Sequence, residues 1–167
     1  MRTAIGLAVA ILFQVGLHAS HLWWVLAACQ PLLLVVVYQA RHHLPVHTAW
    51  IGLAAGLATD VLSERIIGPG GMAGAIAGAL VATTLRRFEM EGPLFWIVGS
   101  LVVASTSELA WVGLLLTLGA QPEHGLLGIL ATVATTAAGG FVVAAGERVA
   151  RWWQSPERRR RQALRRL

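Results

Sequence analysis

GLATDVLSERIIGPGG, residues 56–71, ends one apolar run on an aspartate and opens the next on a cluster of glycines. A carboxylate at the end of one hydrophobic segment, facing a turn of Gly68-Pro69-Gly70-Gly71, reads as a tight connection between two helices. Pro69 suits the first helical position, where no N–H is needed. Asp60 is then placed to accept hydrogen bonds from the free N–H groups that open the following helix, with that helix dipole favouring the negative charge. Arg65 is the nearest cation in sequence.

Working outward, the segments on both sides are as greasy as these two. Of 167 residues, 56% are hydrophobic and 13% charged, and the mean hydropathy is +0.67. That balance belongs in a bilayer, where about 30 Å of hydrocarbon takes roughly 20 helical residues. The expected fold is all-α: a polytopic integral membrane protein with six transmembrane helices over 3–20, 22–38, 47–62, 66–85, 94–119 and 126–149. Residues 1–150 form the transmembrane domain in this reading, and 151–167 a basic cytoplasmic tail. Segment 3–20 has features of a secretory signal, but Leu17 is too bulky for the site before a cut after Ala19, so it reads as a span.

All 13 basic residues are arginines. Short arginine-rich loops stay cytoplasmic, and an even span count with both termini inside leaves only Arg65 outside. Tryptophans prefer the headgroup region, and Trp23, Trp24, Trp50, Trp96, Trp152 and Trp153 all fall near predicted span ends. The pI near 11.3 points to anionic lipid rather than nucleic acid, because the charge lies beside membrane segments with no aromatic platform. Arg158, Arg159, Arg160 and Arg161 are the expected headgroup contacts.

Gly52 and Gly56 form a GxxxG pair in the third span, and Gly70, Gly74 and Gly78 repeat that spacing through the fourth. Glycines four apart line one helix face and let two backbones meet. The two spans pack on each other, or the ridge seats a partner protein's membrane helix; the second is the basis for reading the molecule as a scaffold. Glu108 lies within about 3 Å of the middle of the fifth span, a costly depth for a carboxylate. Ser100, Ala104, Ser107, Glu108 and Trp111 share one helical face, so this stripe points into the bundle. Gln30, Thr135 and Thr136 fall at a similar depth, and together they could hydrogen-bond a neutral Glu108 or line a midplane ligand pocket. Asp60 is expected at a different depth. Pro31 should kink the second span.

No catalytic signature is present: no H-E-x-x-H, no G-x-S-x-G, no P-loop lysine. GPGGMA, 68–73, matches a relaxed dinucleotide fingerprint without the strand it requires. His43 and His47 are four apart, but Pro45 between them spoils a helical ligand face. Neither an enzyme, a cofactor nor a metal is expected.

Gly52-x-x-x-Gly56-Leu57-x-x-Asp60-Val61-Leu62-Ser63, then Gly68 and the small-residue helix Ala73 to Ala82, resembles the family of bacterial rod shape-determining protein MreD. The chain departs from that pattern in its turn-rich 68–71 run and its long arginine tail. The resemblance implies a non-enzymatic inner-membrane subunit of the cell-elongation machinery that pairs with the bitopic protein MreC. Through it, MreB filaments are coupled indirectly to peptidoglycan synthesis by RodA and its class B penicillin-binding transpeptidase. It also implies a bundle similar to the substrate-binding subunits of energy-coupling factor vitamin transporters. A solute-binding subunit using Glu108, Gln30 and Thr135 is therefore the competing reading.

Overall fold

The computed structural model describes residues 12, 30–62, 67–89, 92–120 and 125–153. Within them run five helices: α1 (Pro31–His42), α2 (Pro45–Leu62), α3 (Pro69–Arg87), α4 (Pro93–Thr117) and α5 (Leu126–Trp153). The described residues are thus all-helical. The expected first span apart from residue 12, residues 22–29 of the second, and Arg158, Arg159, Arg160 and Arg161 lie outside them.

Four of the five helices begin on a proline. Its locked φ suits the first turn and its missing N–H costs nothing there. Pro31 starts α1; the residues before Gln30, on which the expected kink of the second span also depends, lie outside the described residues. Gln30 before Pro31 has φ −101° and ψ 82°, the non-helical backbone that a following proline favours. At the far end of α4, Gly119 takes φ +71°. The N–H of Ala120 reaches the Leu115 carbonyl at 3.0 Å and that of Gly119 reaches Leu116 at 3.2 Å. Together these bonds form a Schellman stop, and Ala120 packs against the cluster of Ala73, Trp111 and Leu115.

Glycine sets the register of α2 on α3. A Cβ at Gly52 would overlap the carbonyl of Gly74, one at Gly56 that of Gly70, and one at Gly78 would lie 2.5 Å from the Thr48 carbonyl. As α2 advances by four residues, its partner on α3 retreats by four, so the helices are antiparallel and touch backbone to backbone. The Gly52, Gly56, Gly70, Gly74 and Gly78 ridge is thereby filled from within the chain. The expectation that it seats a partner's helix is revised, since no space is left on that face for one.

Helix α1 is the hub. Only 12 residues long, it contacts all four other helices and buries Leu32, Leu33, Val36 and Val37. Gly99 of α4 lets Val37 and Leu85 close over it, while Gly139 of α5 meets Leu34. Helix α5 is held on α4 where Gly140 abuts Ser100 and the Trp96 carbonyl.

The partition of side chains is that of a membrane protein. Asp60, Glu108, Ser100, Thr48, Gln39, Thr132 and Thr136 are buried, while Leu94, Leu101, Leu109 and Leu116 are exposed along one face of α4. Apolar faces of this extent are costly in water and stable against lipid. Helices α4 and α5 are each long and apolar enough to cross a bilayer.

Two interface markers differ. Trp50 is 67% exposed, but Trp96 is only 4% exposed. It stacks on Tyr38 with ring centroids 6.2 Å apart, so it serves as core and not as an interfacial anchor.

Candidate functional site

Asp60 is built into the structure by the two helices it joins. It sits two residues before the end of α2 and is 2% exposed. Its Oδ2 accepts the N–H of Gly68 at 3.0 Å and that of Gly70 at 3.0 Å. Pro69 between them has no N–H to leave unmet, so the carboxylate caps the donors on either side of it. This is the cap expected from the sequence. Gly70 is required by contact, since a Cβ there would overlap Asp60 Oδ1. Gly68 has φ +128°, a backbone open to glycine at no steric penalty. Arg65 lies outside the described residues.

Asp60 also faces a small cavity of about 20 Å³, lined among others by Gln30, Thr59, Ser107, Glu108 and Trp111. Glu108 and Asp60 therefore share one site. This corrects the expected separation in depth, because position along each segment does not fix the level of helices of unequal length. Helix α4 runs nine residues past Glu108, and α2 ends two residues past Asp60, so the middle of the long helix lies level with the end of the short one. Gln30 Nε2 donates to Glu108 Oε1 at 3.3 Å, the predicted pairing. The inward stripe holds too, with Ser100, Ala104, Glu108 and Trp111 buried and Ser107 half-buried.

Thr135 and Thr136 do not line this cavity. Thr136 is buried and donates to the Thr132 carbonyl at 2.7 Å, and Thr135 donates to Ala131 at 2.8 Å. Both hydroxyls bond back to their own helix, as threonine does in helix interiors. A cavity this size, edged by carboxylates, hydroxyls and an amide, has room for one water.

The opposite end of the bundle gathers the basic residues. Arg86 Nη2 donates to the His43 carbonyl at 2.8 Å, fastening α3 to the α1–α2 turn. Arg41 lies 3.9 Å from Glu147 and 5.4 Å above the ring of Phe95. Arg87, Arg148 and Arg151 are exposed at this same end. Sequence reading put these arginines on one side of the membrane but missed the His43 and Glu147 contacts, which depend on how the helices cross.

Residues 2–121 match the family described as rod shape-determining protein MreD. That stretch includes the capped turn, the glycine register and both cavity carboxylates. The chain belongs to the MreD family. The match reaches just past α4, so α5 lies beyond it. No curated protein and no solved structure matches the chain. Membership of the MreD family gives the molecule a role in rod shape determination at the membrane. Within it, Gly52, Gly56, Asp60 and Gly68, the positions on which the resemblance rests, all meet at the α2–α3 hairpin.

Proposed function

We propose that this chain is a non-enzymatic scaffold of the bacterial cell-elongation machinery, a multi-pass protein of the inner membrane with six spans and both termini in the cytoplasm. It binds MreC and, in a larger complex, RodA with its class B transpeptidase, linking MreB filaments indirectly to peptidoglycan synthesis. The observation that carries this reading is the family match over residues 2–121. The clustering of Arg41, Arg86, Arg87, Arg148 and Arg151 at one end supports the orientation, because that end stays cytoplasmic. With the glycine ridges closed inside the chain, the MreC contact falls on another face of the bundle.

The competing solute-binding reading has one observation in its favour, the polar cavity between Gln30, Asp60 and Glu108. Its volume of about 20 Å³ is far below the roughly 300–1,000 Å³ of small-molecule sites, which favours the scaffold.

Depletion of the chain should round the cells, re-expression should restore rods, and MreC should co-purify with it in mild detergent. Rods that persist on depletion, or a purified chain that ignores MreC and is stabilised by a vitamin, would overturn the reading. A ligand at 100 times its Kd adds about 2.7 kcal/mol, well within reach of a melt.

A further inference from the structure

On the outer face of α2 and α3 lies an apolar groove of about 350 Å³. Small side chains at Ala49, Ala75 and Ala79 leave the space, and the larger Val46, Trp50 and Leu53 border it. Toward the C-terminus of α3, the stripe through Ala75 and Ala79 continues at helical spacing to Thr83 and Arg86. Arg86 is pinned there. Its bond to the His43 carbonyl holds it at the α1–α2 turn, two residues from Pro45, which also lines the groove. That bond uses one of the five donors of the guanidinium, and Arg87 beside it is exposed.

An apolar trough that ends at a fixed guanidinium matches a ligand with two parts, a hydrocarbon chain and an anionic head. We propose that the α2–α3 groove binds one anionic phospholipid, with an acyl chain lying along Ala75 and Ala79 and the phosphate at Arg86. A planar fork of donors suits phosphate oxygens, and the charge at only one end sets the direction in which the lipid lies. A polypeptide helix is a poorer occupant. With side chains it is about 10–12 Å across, whereas this trough lies between two helices whose backbones already touch at Gly52 and Gly74. The inference needs the bundle to sit in a bilayer and does not depend on the partner proteins proposed above.

Native mass spectrometry of the full chain, released from nanodiscs with equal phosphatidylglycerol and phosphatidylcholine of the same acyl chains, tests it. The chain should retain one phosphatidylglycerol about fivefold over phosphatidylcholine, the preference expected from one basic contact near the surface. Arg86→Gln should bring that ratio to unity, and Arg86→Lys should restore part of it. Ala79→Phe, which fills the trough without changing charge, should lower retention of both lipids. A photoreactive leucine analogue at Leu53 in the otherwise unaltered chain, activated in native membranes, should capture phospholipid. Equal retention of the two lipids by the unaltered chain, or capture of polypeptide in place of lipid at Leu53, overturns the proposal whatever the variants do.

Discussion

Asp60 and Glu108 are both buried carboxylates on one cavity, yet their surroundings ask different things of them. Asp60 accepts two backbone N–H groups at the start of α3, whereas Glu108 accepts from a side-chain amide. Asp60→Ala leaves those donors unmet, at about 1–3 kcal/mol each, and should lower the melting temperature in detergent and impair rod shape. Glu108→Gln keeps an oxygen where Gln30 donates and should cost less than Asp60→Ala on both measures; the reverse order would show that Glu108 carries the more demanding role. The cap was legible because Asp60, Gly68 and Gly70 are close in sequence and helix N-termini lack acceptors. The shared cavity was not legible, since it joins residues 78 apart in the Gln30–Glu108 bond, and their common level follows from unequal helix lengths that no local pattern contains.

At the scale of elements, the same residue type has opposite consequences depending on what a helix packs against. Gly74 faces the Gly52 carbonyl, while Gly113 has nothing within 4 Å of where its Cβ would be. Gly74→Ala should therefore force α2 from α3 at the cost of overpacking, about 1–3 kcal/mol. Gly113→Ala should be neutral or stabilise by up to about 1 kcal/mol through helix propensity. Thermal unfolding of the two variants in one detergent checks the contrast, and equal effects would mean that the α2–α3 register is not held by its glycines. The GxxxG spacing announced close packing but could not name the partner, because spacing describes one face and says nothing of which helix covers it. The bounds of α2, α3, α4 and α5 were readable to within about four residues from hydropathy alone. The proline starts at Pro45 and Pro93 were available as boundary signals, since proline suits the first helical turn, whereas hydropathy runs on through greasy residues regardless of backbone breaks.

For the whole molecule, orientation is the property on which the scaffold reading turns, because MreB lies in the cytoplasm and cell-wall synthesis outside. One end of the bundle carries Arg41, Arg86, Arg87 and Arg151 around the α1–α2 and α3–α4 turns, and the other carries the Asp60 cap and the turn after α4. Helix α4 connects the two ends with 25 residues, about 37 Å of helix and enough to cross the hydrocarbon. Phe88, 63% exposed beside Arg87, and Gly125, with open space around it, therefore mark opposite surfaces. With Cys29 replaced by alanine, Phe88→Cys should react with a membrane-impermeant maleimide only after spheroplasts are permeabilised, and Gly125→Cys should react in intact ones. The reverse pattern would turn the arginine end outward and, with it, any headgroup bound at Arg86. Labelling of both positions from one side would mean that α4 does not cross the membrane, and a bundle lying on one face could not connect a cytoplasmic filament with synthesis on the other.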